Sequence, residues 1–173
     1  MAETLEIASE ELEVVIWRVI DAPRELVFRA WTEPKLMSKW WGPRDFTTPV
    51  CEVDLREGGA YRIVMRSPEG VDYPVKGIYQ EIIPLERIVA TGDCAEHPIE
   101  WQDALLKDLP SGSSSKLLES VSIVTFEEKG DKTLLTIRSL FQTAAVRDAM
   151  VKAGMNEGWS ESLDRLEALL QTM

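Results

Sequence analysis

Histidine is nearly absent from this sequence. His97 is the sole histidine in 173 residues, which excludes a histidine-based metal cluster and leaves a serine or cysteine triad with no spare base. Cysteine is equally scarce. Cys51 and Cys94 form no CxxC pair, and without an export signal they read as buried free thiols, not as a disulfide. An excess of positive charge is also missing: 19 Lys and Arg against 30 Asp and Glu give a formal net charge of -11. Such a surface repels phosphate backbones and anionic lipid, so neither nucleic acid nor membrane is an expected partner. No apolar run approaches the length of a membrane span, and the acidic N-terminus lacks the positive flank and apolar stretch of a secretory signal. A cytoplasmic location is expected. Phosphate-binding Gly-rich loops, HExxH and GxSxG are all lacking, and Glu57-Gly58-Gly59-Ala60 reads as a strand turn. No metal, no cofactor and no catalytic residue is therefore assigned.

What is present is the composition of a folding chain, 45% hydrophobic and 28% charged, with length enough for one domain. Residues 1–11 read as a solvated leader and 12–173 as the domain. Leu12 to Ile20 is rich in Val and Ile and predicts a strand. Pro23 and Glu25 then suit a helix start, with an apolar face of Leu26, Val27, Ala30 and Trp31; Thr32 suits the N-cap of a second helix over Glu33 to Trp40. From Phe46 to Asp93 alternation broken by turn signals predicts four strands, Val50 to Leu55, Ala60 to Arg66, Tyr73 to Ile83 and Arg87 to Thr91. Residues 94–119 interrupt that regularity as an insertion, with one or two helical turns over Glu100 to Leu106. Ser120 to Glu128 and Thr133 to Phe141 form the clearest hairpin.

The C-terminal segment carries two stripes. Val151, Met155, Trp159, Leu163, Leu166 and Leu170 recur at three- and four-residue steps and share one helical face, while Gly154, Gly158 and Ser162 line the neighbouring one. The pattern predicts one helix from Thr143 to about Leu170, roughly 40 Å long. Glycine costs up to about 1 kcal/mol in a helix interior, so Gly154 and Gly158 are expected to space or bend the helix against a surface. That surface is the inner face of the sheet, because no other element is large enough to cover it.

Several segments carry a family resemblance: Asp21-Ala22-Pro23-Arg24-Glu25-Leu26-Val27-Phe28, Trp40-Trp41-Gly42-Pro43, Asp54 to Gly59, Gly77-Ile78-Tyr79 and Gly154 to Leu163. Together they resemble the bacterial START-like (SRPBCC) superfamily, in the branch similar to the C-terminal domain of the activator of Hsp90 ATPase. The resemblance implies an α+β helix-grip fold, a curved antiparallel sheet of six or seven strands around a long C-terminal helix, with a cavity between them. It implies no single activity, since lipid carriers, hormone receptors, cyclases and the co-chaperone share the scaffold. The 94–119 insertion departs from the family pattern and is long enough to cover or partly fill the cavity mouth.

Trp40, Trp41, Tyr61, Met65, Tyr79, Trp101, Phe126, Phe141, Met155 and Trp159 are expected to converge between sheet and helix, either as filled core or as the lining for an apolar or aromatic ligand. Glu81 joins them if it shares the face of Tyr79, which requires a strand without a bulge. His97 reads as an exposed loop residue or an acid or base at the cavity mouth, and a Cys94 and His97 nucleophilic pair is disfavoured by its irregular loop. Asp54, Arg56 and Arg138 read as solvated strand charges, and Glu161 with Arg165 as an exposed helical ion pair. Ligand binding without covalent chemistry leads. A cyclase or lyase in the same cavity, and a chaperone-binding module with a filled core and an exposed apolar patch, are the alternatives. Open sheet edges also leave room for a homodimer.

Overall fold

The computed structural model describes residues 11–173; the expected leader, except residue 11, lies outside the described residues. Strand β1 (Glu13–Ile20) leads into helices α1 (Arg24–Thr32) and α2 (Pro34–Trp40). Strands β2 (Thr47–Val53), β3 (Ala60–Arg66), β4 (Asp72–Ile83) and β5 (Arg87–Gly92) follow. Helix α3 (Ile99–Leu106) and a 3-10 turn at Ser115–Leu118 occupy the insertion. The hairpin β6 (Ser120–Lys129) and β7 (Lys132–Leu140) precedes helices α4 (Ala144–Lys152) and α5 (Met155–Leu170). All seven strands join one antiparallel sheet in the order β1-β7-β6-β5-β4-β3-β2, so β1 and β2 are its edges.

The single long C-terminal helix expected from the apolar stripe is two helices. Gly154 takes φ 97°, a left-handed conformation open to glycine, and ends α4 where α5 begins. Thr143 caps α4, its side chain accepting the Val146 N–H at 3.1 Å. Gly158 does not hold the helix close to the sheet either: a Cβ there would meet only the Pro43 ring, at 3.8 Å. Thr32, expected as the cap of α2, is the buried end of α1, and its hydroxyl donates to the Phe28 carbonyl at 2.8 Å.

Alternation sends one side chain in two toward the helices. Ile20, Ile63, Tyr79, Ile88, Val124, Phe126, Leu135 and Ile137 from the sheet meet Leu163, Leu166 and Leu170 of α5 and Val27, Trp31 and Trp40 of α1 and α2 in the main core. A second, smaller core forms from Val14, Leu105, Leu109, Leu118, Phe141, Val146 and Ala149. The insertion therefore docks against Val14 of β1, Phe141 and α4 through its own leucines and supplies part of a core.

Candidate functional site

The sheet's inner face changes character between the two cores. Direct cross-strand partners Ser122 and Ser139, then Ser120 and Gly92, then Gly77, carry little or no side chain along this band. Val14 and Phe141 of the second core lie at one side, Tyr61 and Tyr79 at the other. Gly77 of β4, Ala90 and Gly92 of β5, Ser120 and Ser122 of β6 and Ser139 of β7 build the band.

Aromatic side chains stand around it. Trp31, Trp40, Trp41 and Trp159 make one cluster, in which Trp159 stacks on Trp31 with centroids 6.0 Å apart and planes 6° from parallel. Phe46, Tyr73, His97 and Trp101 make a second, a ring-to-ring file with centroid spacings of 6.0, 5.4 and 4.4 Å. Trp40 is fully buried and its indole N–H donates to the Ala30 carbonyl at 2.8 Å, so it is core. Tyr79 and Phe126 are also core. Trp41, Tyr61 and Trp159 are half-buried at the rim of the main core; Phe141 lies in the second core, with Trp101 and Met155 half-buried against it. Met65 is half-buried, its sulfur 3.3 Å from where a Gly42 Cβ would stand.

Glu81 departs from this set. The ladder between β4 and β5 shifts register between Tyr79 and Glu81, and that bulge turns Glu81 to the outer face. Its carboxylate lies 2.9 Å from Arg87 Nε as a half-exposed ion pair. His97 is buried, not an exposed loop residue. Its Nδ1 lies 2.9 Å from the Pro74 carbonyl, Tyr73 and Trp101 flank the ring, and burial lowers its pKa against smaller opposing effects of that carbonyl and Asp93. The Gln102 amide donates to the Ala95 and His97 carbonyls, which fixes the loop. Burial first, and Asp93 second, push the Cys94 thiol up to about 12, so it is no thiolate partner for His97. Burial likewise pushes Cys51 up to about 11 and raises the Tyr61 and Tyr79 phenols.

The turn after α2 is clamped to α5, a feature that spacing alone concealed. Arg165 does not pair with Glu161. Its guanidinium donates to the carbonyls of Trp41, Gly42, Pro43 and Lys39 at 3.3, 3.0, 3.1 and 3.1 Å, while Glu161 accepts the Arg44 N–H at 2.8 Å. Both side chains of the expected ion pair thus serve the backbone that presents Trp41, and Arg165 supplies the positive charge a helix C-terminus favours. Arg138, expected to be solvated, pairs with a Glu13 whose side chain is 8% exposed.

Two cavities open elsewhere. One of about 360 Å³ lies on the outer face of β2 to β5, and one of about 500 Å³ lies where Glu13 to Val15 of β1 approach α4 and the start of α5. Of the expected lining residues only Tyr61 borders either. Among the described residues no group of His, Cys, Asp and Glu is placed to hold a metal, and no helix is long and apolar enough to cross a membrane.

The model of the Activator of Hsp90 ATPase homolog 1-like proteins matches residues 21–171. A crystal structure from Nitrosomonas europaea is 28% identical, with 94% of this chain and 96% of that one covered and a TM-score of 0.76. One from Chromobacterium violaceum is 27% identical, over 91% and 96% of the two chains, at a TM-score of 0.68. The AHSA1 protein of Silicibacter pomeroyi, 21% identical over 92% of this chain and 98% of that one, shares the fold at a TM-score of 0.67. No curated protein matches the chain.

Proposed function

The chain belongs to the family of Activator of Hsp90 ATPase homolog 1-like proteins, and we propose that within it this protein binds a small hydrophobic or aromatic molecule between the sheet and the start of α5. One observation carries the reading. Inner-face residues Leu163, Leu166 and Leu170 of α5 are sealed, whereas Met155 and Trp159 on the same helix, and Cys51, Tyr61 and Met65 of the sheet, are only half-buried, and the sheet's inner face also carries a band of serine and glycine. Half-buried aromatic and sulfur-bearing side chains near a floor of small residues suit an apolar guest with few polar anchors. The hydroxyls of Ser120, Ser122 and Ser139 belong to that floor, and the Tyr61 hydroxyl, bound to the Thr91 carbonyl at 2.6 Å, borders it. No nucleophile with an activating base accompanies them, which favours binding over turnover.

The test uses the neutral fluorophore N-phenyl-1-naphthylamine and native mass spectrometry of protein purified from its own host. Saturable binding of one probe per chain, displaced by a co-purified small molecule and lost in Ser122→Leu with the fold intact, supports the reading. No binding by wild type, or equal binding by Ser122→Leu, sinks it.

A second reading rests on a different surface. Val15, Trp17 and Val19 point outward from β1 with exposures of 47%, 65% and 48%, an apolar strip on a strand that is a sheet edge among the described residues. We infer from it a docking edge for an apolar strand of a partner protein, the Hsp90 of the same host being the partner the family suggests. Sedimentation of the two proteins together, with wild type and Trp17→Lys, tests it: a complex lost on substitution supports the edge, and no complex removes it. Sedimentation of the chain alone reports a homodimer, which would claim the strip instead.

A further inference from the structure

The outer-face cavity sits over a break in the sheet. Between the pairs Tyr79–Ala90 and Lys76–Asp93 the β4–β5 ladder opens, and side chains replace its backbone partners. Thr91 Oγ1 accepts the Ile78 N–H at 2.8 Å from the outer side, and the Tyr61 hydroxyl donates to the Thr91 carbonyl at 2.6 Å from the inner side. Gly77 is obligatory here, because an added Cβ would fall 1.9 Å from the Thr91 carbonyl. Through the opening, Tyr61 and Gly77 of the inner face become part of the floor of a cavity whose charged side chains lie on the outer face.

The rung crossing this cavity is charged in a segregated way. Register sets Glu52 beside Arg62, Arg62 beside Lys76, and Lys76 beside Asp93. Cross-strand pairing would match Lys76 with Asp93, yet Lys76 and Arg62 both turn to Glu96, at 3.4 and 3.3 Å. Two cations then share one carboxylate. On the far side Asp93 accepts the Ala95 N–H at 2.7 Å, and neither it nor Glu119 has a basic side chain within ion-pair reach among the described residues. One side of the cavity thus carries Arg62 and Lys76, bridged by the exposed Glu96 and with Glu52 beside Arg62, and the other carries Asp93 and Glu119. Ala60 and Ile78, the latter 44% exposed, pave the next rung with hydrocarbon.

We propose that this cavity is a second ligand site, separate from the groove beneath the sheet, and that it takes a small zwitterion with a short hydrocarbon body. The carboxylate end takes the place of the exposed Glu96 carboxylate on Arg62 and Lys76, the ammonium end meets Asp93 and Glu119, and the chain between them lies on Ile78 and Ala60. Strands about 4.8 Å apart set the two charged edges one to two strand spacings apart, which favours ω-amino acids over α-amino acids.

The probe is 6-aminohexanoate, titrated into the full chain and followed through backbone amide resonances at low salt. Saturable shifts at Gly77, Ile78 and Thr91 are expected. Hexanoate and hexylammonium, each lacking one charge, should bind about tenfold more weakly, the loss of one charge-assisted contact. Asp93→Asn with Glu119→Gln should abolish the response while N-phenyl-1-naphthylamine binding at the groove persists, so the two sites fail independently. Equal affinity for the three probes, shifts spread over all surface carboxylates, or an unchanged titration in the double variant overturns the proposal.

Discussion

The two ends of α5 differ more than their shared apolar stripe suggests. From Leu163 to Leu170 the stripe is buried in the main core, and at Met155 and Trp159, in the first turns of α5, it is only half-buried. Periodicity says which face a residue takes and nothing about what stands opposite. At the sealed end the main core includes Ile20, Leu135 and Ile137 of the sheet; at the open end Trp159 packs on Trp31 and Trp41 and Met155 on the second core. A closed end that supplies stability lets the other end remain under-packed, and the largest test of that division is a pair of truncations. Leu166→Ala should cost about 3 to 4 kcal/mol, and Met155→Ala less than about half as much, read from urea midpoints at constant slope. Equal costs would erase the distinction.

The clamp on the Trp41 turn marks the border between the two ends. Arg165→Met keeps the apolar stem and removes the guanidinium, leaving four backbone carbonyls without their charged donor. A loss of about 2 kcal/mol is expected, with greater acrylamide quenching of tryptophan fluorescence as Trp41 loosens. Unchanged quenching would mean that packing against Trp31 and Trp159 holds Trp41 without the clamp.

His97 tests the outer wall of the open end. Burial lowers its pKa below the ordinary 6.5, so the folded protein holds the neutral ring and the unfolded chain binds the proton first. The sign follows: His97 costs the fold nothing above pH 6.5, and stability falls as pH drops below 6.5 until the folded pKa is reached. Asp93, the charged group facing it, opposes the shift without reversing it. Between pH 7 and 5 wild type should lose melting temperature that His97→Gln retains. Parallel melting curves would show that the ring is solvated at the mouth.

The sheet was legible because alternation and turn residues are local, and the bounds expected for β3 match those observed. Packing partners were less so. Glu161 and Arg165 stand at the spacing of an ion pair, and only the returning Trp41 to Arg44 turn, more than a hundred residues away, diverts both to backbone groups. The condition on Glu81, a strand without a bulge, is not met, and the bulge leaves no mark in composition; nothing in the loop of His97 announces the rings of Tyr73 and Trp101 that bury it. The aromatic set was visible as a set, yet its division into buried and half-buried members depends on the small residues of β4 to β7 that face it.

Glycine separates the two ends most sharply and with the smallest energies. Gly154 holds φ 97°, so Gly154→Ala places a side chain in left-handed backbone and should cost about 1 to 2 kcal/mol. Gly158 lies four residues on, inside α5, where a methyl group reaches Pro43 at ordinary contact distance. Gly158→Ala should therefore stabilise the protein by about 0.5 to 1 kcal/mol, the helix propensity gained without a clash. If the open end exists to admit a guest, that gain comes with weaker N-phenyl-1-naphthylamine binding as Trp159 is held more rigidly on the stiffer helix. Stabilisation with undiminished binding would show that Gly158 serves neither spacing nor entry.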